Sequence, residues 1–180
     1  TPFYQGRCKV CSNLHDDWIG VHVEQLFSEA TGLPFKVIND ADAAGMAEMA
    51  YGAGKDKPGL VVVITLGTGI GSGLFLDGKL IPNTEFGHLR YKNKPFEKYA
   101  ADSVRVAEEL SYKKWGKRLN KYFNRLELII SPDTIIIGGS PSKTLNKFRH
   151  HLKSKSEILP AENKNEAGII GAALAARSIM

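Results

Sequence analysis

Cysteine is nearly absent from this chain, which has only Cys8 and Cys11 among its 180 residues. Two cysteines cannot form a disulfide framework, so a reducing compartment is expected. A lone Cys-x-x-Cys that lacks further cysteine ligands favours two small structural residues over a redox or zinc site.

Long apolar runs, a leader segment and repeats are also missing. The longest apolar stretch, Leu60–Leu66, is far shorter than the roughly 20 residues that span a bilayer. No basic and apolar leader opens the chain, so we expect a cytoplasmic protein without membrane contact. A composition of 43% hydrophobic and 24% charged residues excludes collagen, coiled coil and disorder.

Positive charge is concentrated in one segment. The whole chain has a net charge of +5, and residues 105–125 alone, with seven basic and two acidic residues, carry the same excess. We therefore expect a local contact with a polyanion and no general affinity for nucleic acid.

Strand and helix patterns alternate along the chain, which indicates an α/β protein. The turn signal Asp77-Gly78 between two short apolar runs predicts a hairpin, so the sheet should be mixed. The predicted elements are helices at Asp16–Gly32, Ala41–Gly54, Ser103–Ile130, Ser142–Lys155 and Glu166–Ala176, and extended segments at Phe35–Asn39, Leu60–Leu66, Leu74–Leu76, Lys79–Ile81, Thr134–Ile137 and Glu157–Ala161.

A glycine-rich loop, Gly67-Thr-Gly-Ile-Gly-Ser-Gly73, follows the predicted strand Leu60–Leu66. Successive backbone N–H groups without Cβ atoms can bind phosphate, and the Thr68 hydroxyl adds a donor. The alternative is a plain turn between two strands, because no helix follows as in a dinucleotide-binding fingerprint.

Two further segments hold polar residues at loop positions. Asn39 and Asp40 lie where a strand ends and a helix begins, so Asp40 either caps the helix or takes a proton from a hydroxyl group. Asp42 is expected to be a first-turn charge on that helix. Glu85 and His88 follow among turn residues and are expected to converge on a small polar ligand, with zinc disfavoured.

The helix predicted at Ser103–Ile130 has two faces. An apolar series with steps of three and four residues predicts a buried face, and it consists of Trp115, Leu119, Tyr122, Leu126 and Ile129. A basic series one residue earlier, which we call the basic stripe, consists of Lys114, Arg118, Lys121 and Arg125. The stripe is either a solvated surface or an anion-binding one.

The order of these motifs resembles the ROK family of sugar kinases, in the actin/hexokinase-like superfamily, and within it the branch of glucokinases that use inorganic polyphosphate. The likeness spans about residues 13–176. The segments that carry it are V-I-N-D-A-D-A-A-G, Y-G-A-G-K-D, T-L-G-T-G-I-G-S, L-I-P-N-T-E-F-G-H, S-Y-K-K-W-G-K, S-P-D-T-I-I-I-G-G and N-E-A-G-I-I-G-A-A.

The resemblance implies an α/β fold of the actin/hexokinase (ribonuclease H-like) kind, with residues 1–54 as the last part of an incomplete N-terminal lobe and residues 55–180 as the C-terminal lobe. It implies a phosphotransferase that makes glucose 6-phosphate, with inorganic polyphosphate as donor, ATP as a second donor and Mg²⁺ as cofactor. No zinc is expected, because the family's cysteine cluster is missing. A homodimer is also implied.

The same resemblance assigns roles to individual residues. Asp40 matches the catalytic base that activates the glucose 6-hydroxyl group. The residues that match sugar contacts are Asn13, Asn39, Asp40, Glu85 and His88. The residues expected at phosphate are Gly67, Thr68 and Gly69 together with the basic stripe, and Gly138 and Gly139 match a glycine pair near the nucleotide.

The family's first phosphate loop, of the Asp-x-Gly-Gly-Thr type, has no counterpart in these 180 residues. Two alternatives to the active kinase therefore stay open. One is a catalytically impaired fragment, and the other is a non-catalytic ROK protein that binds sugar or phosphate.

Overall fold

The computed structural model describes residues 2–10, 15–163 and 166–177. In chain order the strands and α-helices are β1 (Phe3–Tyr4), β2 (Arg7–Cys8), α1 (Val23–Thr31), α2 (Asp40–Tyr51), β3 (Leu60–Leu66), β4 (Ile70–Leu76), β5 (Lys79–Ile81), β6 (Arg90–Tyr91), β7 (Lys94–Pro95), α3 (Glu97–Ala100), α4 (Asp102–Ala107), α5 (Tyr112–Ile130), β8 (Thr134–Gly138), β9 (Glu157–Pro160) and α6 (Ala167–Ala176). In this part of the chain, no helix is long and apolar enough to cross a membrane.

Five strands form the main sheet, in the order β5-β4-β3-β8-β9. β4 pairs antiparallel with both β3 and β5, whereas β8 runs parallel to β3 and β9 runs parallel to β8. The expected mixed sheet is confirmed. The hairpin that contains Asp77-Gly78 forms its antiparallel edge, and the two buried central strands β3 and β8 end side by side.

Both faces of β3 are buried, as its continuous apolar sequence predicts. Alternate residues point to opposite faces of a strand, so Val62 and Ile64 pack in the larger core beneath α5. Val61 and Val63 pack on the other face against Phe75 and the methionines of α2. The molecule therefore has a sheet between two helical layers.

Helices α2 and α6 form one of those layers and approach each other closely. A Cβ atom placed on Gly171 of α6 would lie only 1.7 Å from the carbonyl oxygen of Ala43 in α2. Glycine at this position allows a backbone-to-backbone contact that any side chain would prevent. The contact holds α6 against the helix whose first turn carries Asp40.

The first predicted helix, Asp16–Gly32, is interrupted, which corrects the prediction. A short 3₁₀ turn covers Asp16–Trp18, and α1 begins only at Val23 and ends at Gly32 in a left-handed conformation. Gly20 has a positive φ of 84° and its N–H donates to the carbonyl oxygen of Cys8. Pairing with the β2 segment therefore draws the chain out of the helix.

The predicted strand Phe35–Asn39 is not part of a sheet among the described residues. Its backbone is anchored by a side chain, because the N–H of Val37 donates to Glu24 Oε1 at 3.1 Å. Lys36 forms an ion pair with the same carboxylate. An apolar, β-branched sequence predicts extended backbone, but a strand also needs a neighbouring strand to pair with.

In the second half of the chain, the structure departs from two of the predicted helices. The helix expected at Ser103–Ile130 is broken after Ala107, where Glu109 has a positive φ of 47° and Ser111 caps a new helix by accepting from the N–H of Lys114. Where a helix was predicted at Ser142–Lys155, the segment 140–151 forms 3₁₀ turns, because Pro141 starts it and Thr144 leaves helical geometry.

The terminal helix and the strand near residue 157 are confirmed. The division into lobes near residue 54 stays a prediction.

Candidate functional site

The site begins at the first turn of α2. Asn39, which is 5% exposed, caps this helix, and its Oδ1 accepts hydrogen bonds from the N–H groups of Ala41 at 2.8 Å and Asp42 at 3.2 Å. The alternative in which Asp40 is the cap is therefore wrong. Asp40 is the first residue of the helix, and its exposed carboxylate also accepts from the N–H of Ala41, through Oδ1 at 2.9 Å.

The glycine loop is a tight three-residue turn. The paired strands β3 and β4 close at Leu66 and Ile70, so only Gly67, Thr68 and Gly69 form the turn, and the N–H of Gly67 donates to the carbonyl oxygen of Gly69. The rest of the glycine-rich segment, predicted as loop, belongs to β4. Thr68 is exposed at the tip.

Glu85 and His88 flank a single 3₁₀ turn that follows β5. The hydroxyl of Ser72 on β4 accepts a hydrogen bond from the N–H of Phe86 and donates to the carbonyl oxygen of Thr84, which fixes this turn to the sheet. His88 Nε2 lies 3.9 Å from Glu97 Oε1. No sequence motif singles out Glu97, which comes from the short helix α3.

These segments enclose one cavity of about 520 Å³. Its lining includes both Asp40 and the turn that contains Thr68. The residues predicted for sugar and for the phosphate loop that line it are Asn39, Asp40, Glu85, His88, Gly67, Thr68 and Gly69, and Glu97 joins them. Asn13 lies outside the described residues.

A smaller cavity of about 230 Å³ adjoins the first, and the two share Asp40 and Gly139. Gly138 and Gly139, the pair expected near a nucleotide, both line it. Gly139 has a positive φ of 80°, and a Cβ atom there would lie 2.2 Å from the carbonyl oxygen of Leu66. Glycine is therefore required where β8 ends beside the turn Gly67–Gly69.

Asp42 lies in the first turn of α2, as expected, and its side chain is buried. It is 1% exposed, and its Oδ2 accepts a hydrogen bond from the N–H of Asn83 at 2.8 Å. Burial raises the pKa of Asp42 to about 6, and the negative charges of Glu85 and Asp40 act in the same direction. The carboxylates of Asp42, Glu85 and Asp40 are therefore close enough to interact electrostatically.

The basic stripe lies on an exposed flank of α5, and none of its four residues lines the large cavity. Two of them are held by neighbours. Arg118 bonds Glu108 at 2.6 Å and the carbonyl oxygen of Tyr99 at 3.1 Å, and Lys121 bonds Tyr91 Oη at 3.1 Å. Hydrogen bonding to Lys121 lowers the pKa of the Tyr91 hydroxyl. Tyr99 belongs to α3, so the stripe adjoins the helix that contributes Glu97.

The remaining face of α5 packs as predicted, with one exception. Trp115, Leu119, Tyr122 and Leu126 are fully buried, whereas Ile129 is 52% exposed near the end of the helix. Within the described ranges, no group of three or more His, Cys, Asp and Glu side chains is placed to hold a metal ion.

The fold and the site define an α/β protein in which a carboxylate and a glycine turn meet across a polar cavity at the ends of buried strands. The sequence profile of the ROK family matches residues 4–100, more than half of the chain. This chain belongs to the ROK family.

Similar curated proteins include the polyphosphate glucokinases of Mycobacterium tuberculosis (strain CDC 1551 / Oshkosh) and Mycobacterium leprae (strain TN). The first is 43% identical over 171 residues, which cover 94% of this chain and 64% of the relative. The second is 42% identical over 172 residues, which cover 95% of this chain and 53% of the relative. The chain therefore spans between about half and two thirds of the length of these relatives.

Among solved structures, the inorganic polyphosphate/ATP-glucomannokinase from Arthrobacter sp. strain KM is similar, with a TM-score of 0.93 and 40% identity over 99% of this chain and 71% of that one. A ROK family glucokinase from Streptomyces griseus, at 22% identity and a TM-score of 0.80, covers 96% of this chain and 77% of that one. The second likeness shows the fold alone. The fold is that of the actin/hexokinase-like ROK proteins.

Proposed function

We propose that this chain transfers a phosphoryl group from inorganic polyphosphate, with ATP as a second donor, to the 6-hydroxyl group of glucose. The observation that carries the proposal is that Asp40 and the Thr68 turn line one cavity. Supporting it, relatives at 43% and 42% identity are polyphosphate glucokinases, and the similar solved structure at 40% identity is a polyphosphate/ATP-glucomannokinase.

The sugar is proposed to occupy the part of the cavity lined by Asn39, Glu85 and His88. Carboxylate, amide and imidazole groups can pair with the several hydroxyl groups of a sugar, each as donor or acceptor. Glu97, within 3.9 Å of His88, extends this polar wall towards the glycine turn. Asp40 is left at the junction between the sugar and the donor, where it would accept the proton of the 6-hydroxyl group.

In the proposed reaction, the sugar oxygen forms a bond to the terminal phosphorus atom while the bridging phosphorus–oxygen bond breaks. The electron pair leaves with the shortened phosphate chain, and the hydroxyl proton passes to Asp40. Such a transfer depends mainly on positioning and charge neutralisation. Among the described residues, the N–H groups of Thr68 and Gly69 have no hydrogen-bond acceptor, and both residues line the same cavity, so these groups are suited to the phosphate oxygens.

Mg²⁺ fits this site as an ion bound largely through the donor. Magnesium is usually held by one or two carboxylates together with substrate phosphates and water, and Asp40, Glu85 and Glu97 are the carboxylates of the cavity. When bound, it would neutralise charge on the phosphate oxygens.

The basic stripe beside α3 is proposed to hold the remainder of a polyphosphate chain. A homodimer stays a prediction.

The decisive experiment is to incubate the purified chain with glucose, Mg²⁺ and either polyphosphate or ATP, and to measure glucose 6-phosphate. We expect product with polyphosphate. Binding of glucose and tripolyphosphate is measured in parallel by calorimetry. Binding of both ligands without product would favour the non-catalytic alternative, and binding of neither would contradict the proposal.

A further inference from the structure

From outside the sheet, Ser103 donates two hydrogen bonds to the turn Gly67–Gly69. The backbone N–H of Ser103 donates to the carbonyl oxygen of Gly67 at 3.0 Å, and its hydroxyl donates to the carbonyl oxygen of Thr68 at 2.7 Å. Both donors come from the first turn of α4. Two consecutive peptide groups of the turn therefore have their carbonyl oxygens directed at the same residue.

The direction of those carbonyls fixes the direction of two N–H groups. In a trans peptide the C=O and the following N–H point in opposite directions, and the described chain has no cis peptide bond. The N–H of Thr68 belongs to the peptide whose oxygen is Gly67 O, and the N–H of Gly69 belongs to the peptide whose oxygen is Thr68 O. Both N–H groups must therefore point away from Ser103.

These two N–H groups are the donors that the turn leaves available. The third, on Gly67, is used within the turn by the carbonyl oxygen of Gly69. Over the described ranges, the hydrogen bonds place no acceptor on the N–H of Thr68 or of Gly69. Both residues line the large cavity that also contains Asp40.

Ser103 itself has a fixed position. Ala101, two residues before Ser103, is completely buried, and its N–H donates to the carbonyl oxygen of Glu97. Asp102 forms a 2.6 Å ion pair with Arg105 one turn later. The start of α4 is thus anchored to the core and to the helix that carries Glu97, so it can act as a fixed frame for the turn.

We propose that Ser103 is a positioning residue that aims the N–H groups of Thr68 and Gly69 at the phosphate group of the donor. This inference rests on the proposed function for the identity of the donor. Ser103 does not line the cavity and therefore acts through the turn. Without its hydroxyl, the peptide between Thr68 and Gly69 is free to rotate, and one of the two donors is no longer held in place.

The test uses Ser103→Ala, Ser103→Thr and the control Ser131→Ala. The threonine variant retains a hydroxyl donor. Ser131 is exposed and likewise donates from its hydroxyl to a backbone carbonyl, Glu127 O at 3.0 Å, at the far end of α5. The control therefore removes a bond of the same kind away from the cavity.

The binding readout is the shift of the backbone amide NMR signals of Thr68 and Gly69 on titration with inorganic tripolyphosphate, with glucose binding measured separately. One lost hydrogen bond corresponds to about a fivefold to tenfold change in an equilibrium constant. We expect Ser103→Ala to weaken tripolyphosphate binding by that factor and to leave glucose binding unchanged. Ser103→Thr should stay within about twofold of the unaltered chain, and Ser131→Ala should change neither.

Two results would overturn the proposal. One is that Ser103→Ala binds tripolyphosphate as tightly as the unaltered chain, and the other is that the two amide signals do not respond to tripolyphosphate. The kinetic readout is the KM for polyphosphate, expected to rise in Ser103→Ala while the KM for glucose does not. If the unaltered chain makes no glucose 6-phosphate but its Thr68 and Gly69 signals still respond and Ser103→Ala weakens the response, the proposed function fails and the role of Ser103 is supported.

Discussion

The buried carboxylate of Asp42 connects α2 to the loop that carries Glu85. Asp42 Oδ2 accepts a hydrogen bond from the N–H of Asn83 at 2.8 Å. Asn83 also exchanges two hydrogen bonds with the backbone of Phe3, at 2.9 and 2.7 Å. Asn83, two residues before Glu85, is thus held from two sides, by Asp42 and by Phe3. The buried Asp42 carboxylate therefore fixes this loop relative to the start of α2, where Asp40 lies.

Replacing Asp42 by Asn should stabilise the protein at neutral pH. The pKa of Asp42 is raised from 3.8 to about 6 because burial disfavours its charged form. The native state therefore binds a proton more tightly than the unfolded state, and stability falls as pH rises from about 4 to about 6. A shift of this size corresponds to roughly 2–3 kcal/mol. Asparagine retains an oxygen that accepts from the N–H of Asn83.

The measurement is the free energy of unfolding of both proteins by urea at several values between pH 4 and pH 7. The difference between Asp42→Asn and the unaltered chain should grow in favour of the variant across this range. Asp56→Asn, an exposed carboxylate in the loop after α2, is the control and should show no such trend. A difference that is the same at every pH would contradict the assignment of the raised pKa to Asp42.

The central strands and the hairpin were predictable because their residue types favour the same structure that tertiary packing imposes on them. The run at Leu60–Leu66 is buried on both faces, and Asp77-Gly78 forms the turn that its residue types favour. The segment Phe35–Asn39 shows the limit of this reasoning. Its sequence favours extended backbone, but sheet formation depends on a neighbouring strand, which local sequence does not reveal.

The candidate site was predictable where a motif places polar residues at the end of a strand, as with Asn39, Asp40 and Thr68. Glu97 and Ser103 follow no such motif, and their roles come from tertiary packing of α3 and α4 against the turn. The burial of Asp42 was not predicted, because an aspartate in the first turn of a helix is usually a charge that interacts with the helix dipole. Its contact with Asn83 lies 41 residues further along the chain, so no local pattern reveals it.

Tyr122→Phe should leave the protein as stable as before or make it more stable. Tyr122 is completely buried, and within the described part of the chain its hydroxyl has no hydrogen-bond partner. Desolvation of such a group opposes folding by about 1–3 kcal/mol. The ring keeps its edge contact with Phe96, with centroids 5.4 Å apart. Thermal unfolding checks this, and a loss of more than about 1 kcal/mol would show that the hydroxyl has a partner, such as a buried water.

Replacing Asp40 by Asn should abolish most of the proposed transfer and preserve glucose binding. Loss of a placed general base usually lowers the rate by about 10²–10⁴-fold. Asn retains the Oδ1 atom that accepts from the N–H of Ala41, so the start of α2 should be undisturbed. The rate of glucose 6-phosphate formation and the Kd for glucose are measured separately, with Asp56→Asn as control. Near-normal turnover in Asp40→Asn would remove this residue from the mechanism.

Reversing charges in the basic stripe should raise the KM for polyphosphate and leave the KM for glucose unchanged. Because Arg118 and Lys121 also hold Tyr99 and Tyr91, reversing their charges would disturb the packing of α3 as well as the surface charge. Lys114 and Arg125 are exposed, and no side-chain ion pair involves them in the described chain, so Lys114→Glu combined with Arg125→Glu tests charge alone. We expect the KM for polyphosphate to rise at least about fivefold and its dependence on salt to weaken, since fewer phosphates are neutralised.

The matched control is Lys113→Glu combined with Lys117→Glu, which changes the net charge of the same helix by the same amount. Those two lysines lie on the other flank near His151, whose pKa is lowered by desolvation and also by neighbouring positive charges that include both lysines. If the stripe is a specific track for the donor, only the first pair should change the KM for polyphosphate strongly, and neither should change the KM for glucose. Equal losses in both double variants would mean that polyphosphate responds to the total positive charge of α5, and the proposed track along Lys114 and Arg125 would be wrong.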